Sequence, residues 1–144
     1  MNPTIRKPAE GRTIAVVGDV YRFLATGEDT NGKYALWEAV VPPRGGPPPH
    51  VHSREEEGFY VLEGEITLFI GDKRLIARTG MFANMPVGTP HSFKNEGGKP
   101  ARMLIVVAPA ELEGGRPGID LEVVDDRQRA YSPAPRSGNR ISTP

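Results

Sequence analysis

Cysteine is absent from the 144 residues. Disulfides, thiolate nucleophiles, zinc fingers and cysteine-held iron–sulfur clusters are therefore excluded, and any metal must be held by nitrogen and oxygen. Net charge is missing too, since 18 Lys and Arg balance 18 Asp and Glu, with a sequence pI near 6.8. Without a basic excess nothing draws the whole chain onto nucleic acid or an anionic membrane surface, and neither is expected as a partner. No apolar run approaches the roughly 18 residues of a membrane span. Residues Met1–Thr13 carry Arg6, Lys7, Glu10 and Arg12 with no apolar stretch, so no secretion signal is read there and a soluble, cytoplasmic protein is expected. Histidine is scarce: only His50, His52 and His91 occur.

What is present is glycine (17) and proline (15), clustered between short apolar segments, which is how turns separate strands. Nine candidate strands follow: Thr13–Val17, Val20–Ala25, Tyr34–Val41, Val51–Leu62, Ile66–Ile70, Arg74–Ala77, Met81–Met85, His91–Lys94 and Arg102–Ala108, most of them rich in β-branched or aromatic residues. In Glu65-Ile66-Thr67-Leu68-Phe69-Ile70 the residues Ile66, Leu68 and Ile70 share one face, as a half-buried strand requires. Glu63-Gly64 before it and Gly71-Asp72 after it supply two tight reversals. Many short strands without a long helical pattern make an all-β sandwich or barrel, and a single-domain jelly roll with short terminal extensions suits the strand count and the length. Residues 1–33 would complete the barrel, 34–108 would form its core, and 109–144 would be a C-terminal extension. Strand patterning is lost from about Ala110, and Asp126–Pro144, with four arginines against one aspartate, has the composition of a tail that could be pinned on the barrel or on a neighbouring subunit.

His50 and His52 stand two apart, so on an extended backbone both imidazoles project from one face. Glu57 returns to the inner face at the head of Gly58-Phe59-Tyr60-Val61-Leu62, and His91 follows 34 residues later, just after Pro86-Val87-Gly88-Thr89-Pro90. Three neutral imidazoles and a carboxylate form a nitrogen and oxygen set suited to one divalent transition metal: Fe, Mn, Ni, Co, Cu or Zn. Spacing alone leaves open that the histidines are surface loop residues and that Glu55-Glu56-Glu57 is a solvated acidic run.

The neighbouring residues resemble the cupin family at both of its motifs. The first reads His50-Val51-His52, four residues, Glu57, six residues, Gly64; the second reads Gly80, five residues, Pro86-Val87-Gly88, two residues, His91, three residues, Asn95. Fifteen residues separate Gly64 from Gly80, and the likeness covers roughly Tyr34 to Ala108. Glu56 would fit a shorter variant of the first motif, but the distance to Gly64 selects Glu57. The family usually has glycine six positions before the first histidine; here that place is Arg44, followed by Gly45-Gly46, so the loop is expected to be re-aimed. The resemblance implies that His50, His52, Glu57 and His91 bind a divalent metal inside a β-barrel. It also implies scaffold roles for Gly64, Gly80 and Gly88 at strand reversals, for Pro86 before His91, and for Asn95 closing the turn after it.

The segment Gly46 to Glu65 is similar to small cupins grouped with quercetin 2,3-dioxygenase. That likeness implies oxygenation of a small enolic or aromatic metabolite, with Glu57 as both ligand and proton acceptor. Two alternatives use the same residues: metal-dependent isomerisation or epimerisation of a small carbonyl compound, and non-enzymatic binding of a metabolite. Phe59, Val61, Phe93, Met81, Met85, Met103 and Trp37 are candidates to line the barrel, with core packing the default for each. Glu38 is either a second acid/base inside the barrel or, the default, an outward-facing residue. A homodimer joined through sheet edges is expected, because pairing between subunits satisfies the unpaired backbone groups of edge strands.

Overall fold

Alternation of apolar and polar residues decides which face of each strand turns inward, and the observed strands follow it closely. The computed structural model describes residues 2–16, 18–113, 116–120, 122–123 and 140–142, with side chains as far as residue 110. The strands are β1 (Thr13–Val16), β2 (Asp19–Ala25), β3 (Ala35–Val41), β4 (His50–Val51), β5 (Glu56–Glu63), β6 (Glu65–Ile70) and β7 (Lys73–Arg78). They continue as β8 (Phe82–Met85), β9 (His91–Lys94), β10 (Ala101–Ala108), β11 (Glu111–Glu113), β12 (Arg116–Asp120), β13 (Glu122–Val123) and β14 (Arg140–Ser142). In β3 and β10 every second residue is buried, the period-2 signature of a strand with one face on a core.

Two antiparallel sheets enclose that core. One has the order β1-β2-β3-β10-β5-β8 and the other β13-β4-β9-β6-β7. The pairings are nested: β6 with β7, β5 with β8, β4 with β9, and β3 with β10. Their partners Ile66↔Ala77, Glu57↔Met85, His50↔His91 and Trp37↔Ile105 are all centred within a residue of Gly71. The stretch from β3 to β10 is thus one long hairpin, bent at the Gly71-Asp72 turn and rolled so that successive strands alternate between sheets, which is the jelly-roll architecture. Rolling places Phe59 of β5 against Phe93 of β9 across the two sheets, with ring centroids 5.6 Å apart. Trp37 packs between Tyr21 and Phe23 at 5.7 and 5.4 Å.

Three expectations are revised. Val51–Leu62 is not one strand: β4 lies in the five-stranded sheet and β5 in the six-stranded one, and residues 52–55 carry the chain across. Met81 is 38% exposed, because it sits in the turn before β8, where its sulfur accepts the Arg78 N–H at 3.2 Å. The extension after Ala110 does contain paired backbone. β11, β12 and β14 form a small sheet, and Glu122–Val123 adds to β4; ladder hydrogen bonds need no apolar periodicity, so composition gave no sign of them. The rest of Asp126–Pro144 lies outside the described residues.

Candidate metal centre

Register brings the histidines together. His50 and His91 are direct partners in the β4–β9 ladder, and His52 follows β4 by one residue. Glu57 enters from the opposite sheet on β5, immediately after the crossing at residues 52–55. The Pro86–Gly88 turn is tied to this crossing, since the Gly88 N–H donates to the His52 carbonyl at 2.9 Å. All four side chains are buried, and one ligand atom from each lies within 4.8 Å of the others. The alternative of a solvated surface cluster is thereby removed.

The hydrogen bonds decide what can occupy the centre. Glu57 Oε2 lies 2.6 Å from His52 Nε2, 2.9 Å from His91 Nε2 and 3.7 Å from His50 Nε2. On the far side of two rings, His50 Nδ1 donates to Pro48 O at 2.9 Å and His91 Nδ1 donates to Thr89 O at 2.7 Å. A carbonyl can only accept, so both Nδ1 atoms carry hydrogen, and in a neutral imidazole Nε2 is then a lone pair. At His91 that lone pair faces a carboxylate oxygen 2.9 Å away. Two acceptors at that distance require a cation between them, either extra protons on the rings or one metal ion shared by all four groups. The donor set therefore fits the divalent metal.

Glu57 is ready for that role. Burial pushes its pKa up, but its interactions with His50, His52 and His91 together outweigh the desolvation and hold the carboxyl well below the ordinary carboxylate range. It is an anion in a place where an unaccompanied anion would be costly.

The orienting carbonyls share a local cause. Each belongs to the residue two before its histidine, in Pro48-Pro49-His50 and Thr89-Pro90-His91. A proline restricts the residue before it to extended backbone, so the same tripeptide form aims a carbonyl at Nδ1 twice. This X-Pro-His repeat was readable in the sequence and was not exploited. Glu55 was missed as well: it is only 1% exposed, and its Oε2 lies 3.9 Å from His52 Nδ1. Its signal was parity, because Glu55, Glu57, Phe59 and Val61 all turn inward, so the acidic run is not uniformly solvated.

The approach loop is held by its backbone. Arg44 takes φ +69°, the left-handed conformation that glycine adopts most easily. Its N–H donates to Asn95 O at 2.7 Å, and Gly45 O accepts the Asn95 N–H at 3.0 Å. Arg44 thus adopts a glycine-type conformation at the place where the family usually has glycine. A side chain at Gly46 (φ +131°) would place its Cβ 2.0 Å from Phe93 O, so only glycine fits where the loop crosses β9. Asn95 closes its turn as expected: Nδ2 donates to Val41 O and Lys99 O, and Oδ1 accepts from Gly97 N–H. Gly64, Gly80 and Gly88 all have positive φ.

A family model described as a cupin domain matches residues 37–107. The polyketide cyclase RemF from Streptomyces resistomycificus is 30% identical, with a TM-score of 0.56 over 67% of this chain and 73% of that one. The chain belongs to the cupin superfamily. A predicted oxalate decarboxylase from Thermotoga maritima shares the cupin fold at 20% identity, with a TM-score of 0.68 over 73% of this chain and 98% of that one. Quercetin 2,3-dioxygenase of Bacillus subtilis is 33% identical over 95 residues, which are 64% of this cupin and 27% of that enzyme. The match thus spans about a quarter of the dioxygenase's length.

The remaining candidates settle into the cupin scaffold. Trp37, Phe59, Val61, Met85, Phe93 and Met103 are all buried in the core. The cavity beside Phe59, Val61, Ile66, Leu68 and Met103 measures only about 10 Å³, too small for a metabolite. Glu38 points away from the barrel interior and is bridged by Arg22 at 2.9 Å and Arg102 at 3.0 Å. Hydrogen bonding from Arg102 is the main reason its pKa is lowered, so it is not an interior acid/base. No helix among the described residues is long and apolar enough to cross a membrane.

A third buried acid was not singled out by sequence. Asp19, at the start of β2, is 1% exposed. It accepts one hydrogen bond from the Gly46 backbone, yet burial dominates and pushes its pKa up to about 7. Its Oδ1 has no hydrogen-bond partner among the described residues.

Proposed function

We propose that this cupin is a metal-dependent oxygenase acting on a small enolic or aromatic metabolite. The observation that carries the reading is the convergence of three imidazole Nε2 atoms on one ionised carboxylate, with two rings locked by backbone carbonyls in the tautomer that leaves Nε2 free to ligate. The 33% identity to a quercetin 2,3-dioxygenase supports the choice of oxygenation. His50, His52, Glu57 and His91 would hold the ion. When bound, a divalent metal supplies Lewis acidity toward an enolic oxygen and electronic coupling to dioxygen. The protein's own share is to fix the three rings, to keep bulk water from buried ligands, and to offer the Glu57 carboxylate as acceptor for the enolic proton.

Anaerobic titration of the iron-, manganese- or nickel-loaded protein with a flavonol or a related diketone tests this. A shift of the ligand's absorption on binding, followed by oxygen uptake when air is admitted, is expected. Turnover that proceeds without oxygen would instead identify an isomerase, and no spectral change with any of these metals would reject substrate binding at the centre. We also propose a homodimer joined at sheet edges, supported by the edge strand β8 with Phe82 62% exposed. Sedimentation velocity should give twice the monomer mass, and Phe82→Arg should lower it.

A further inference from the structure

The three imidazoles are not oriented alike. His50 and His91 each follow a proline and receive a backbone carbonyl at Nδ1. His52 follows Val51, so it lacks the X-Pro-His device, and a carboxylate oxygen of Glu55 lies 3.9 Å from its Nδ1. Glu55 is among the largest fully buried side chains among the described residues, in a sequence of three glutamates whose middle member, Glu56, is exposed. Its burial places a second carboxylate behind the ligand shell. Metal-bound histidines usually give their other ring N–H to such an oxygen, which fixes the ring and raises its basicity.

We propose that Glu55 is the positioning residue of His52, holding that ring with Nε2 toward the metal. This inference rests on the metal centre and is independent of which reaction it catalyses.

Chelator competition with Zn²⁺ and Co²⁺ on the wild type, Glu55→Ala, Glu55→Gln and Glu56→Gln tests it, together with the imidazole ¹⁵N–¹H spectrum of His52. Glu55→Ala is expected to weaken affinity by about 10- to 100-fold. Glu55→Gln, which keeps an acceptor oxygen, should fall between that variant and the wild type. Glu56→Gln should bind as the wild type does, and the His52 Nδ1–H signal should shift in both Glu55 variants. If Glu55→Ala fails to fold by circular dichroism, Glu55→Gln is read by the same criteria. Affinities within about twofold of the wild type in every folded Glu55 variant, or an equal loss in Glu56→Gln, would overturn the role of Glu55 while leaving the centre intact. A wild-type protein that binds neither ion would overturn the centre and this role with it.

Discussion

Glu57 and Asp19 are both carboxylates shut away from solvent, and they behave in opposite ways. Glu57 faces three imidazoles and is held well below the usual carboxylate range. Asp19 has one backbone N–H and one oxygen without a hydrogen bond, and is pushed up to about 7. Burial penalises both anions, so the difference lies in the partners: only Glu57 is surrounded by side chains whose interactions overcome desolvation. The first acid is built to meet a cation. The second acts as a neutral strut under the Gly46 loop over much of the acidic range.

The strongest way to break this contrast is to remove an imidazole. His50→Ala and His91→Ala should each lose metal by more than the roughly 100-fold expected of an outer-sphere change, while circular dichroism shows the strands intact. Metal content unchanged in both variants would mean that Glu57 is not held by a shared ion. Acidification is the next lever. Metal retention should fall between neutral and acidic pH as the rings protonate, because a protonated ring cannot ligate; equilibrium dialysis across that range checks it.

Asp19 should show the opposite sign. Its carboxyl stays protonated in the fold up to about pH 7, whereas the unfolded chain ionises near 3.8, so the folded state holds the extra proton between those values. Its contribution to stability is fully present below pH 3.8 and is lost as pH rises toward 7. Asp19→Asn should therefore flatten the pH dependence, and should gain about 3–4 kcal/mol relative to wild type at pH 8 compared with pH 4. Thermal melts at the two pH values measure that difference, and equal shifts at both would refute the assignment. Glu38 sets the lower bound. Its two arginine partners sit at the surface, and Glu38→Gln should cost about 0.5–1 kcal/mol, less at high salt.

The legibility of the four ligands and the illegibility of their surroundings have distinct causes. His50 and His52 were readable because strand periodicity is local, and Glu57 and His91 because both motif spacings are local. The break between β4 and β5 was not readable: Val51–Leu62 is apolar enough for one strand, and only the need to change sheets divides it. Glu55 looked like one of three solvated acids, and its burial follows from Glu57 being pinned inward two residues later. The strands of the C-terminal extension left no compositional trace, since backbone pairing alone forms them.

By itself, the order of residues determined that the chain would be all-β, which residues alternate inward, and which side chains bear the chemistry. These are properties of neighbours along the backbone, governed by steric preference and periodicity. Tertiary structure alone decided that His50 would pair with His91, that Glu57 would face them from the opposite sheet, and that two buried carboxylates would ionise so differently. Those outcomes depend on distances between residues far apart in the chain, and such distances exist only after the long hairpin has rolled up.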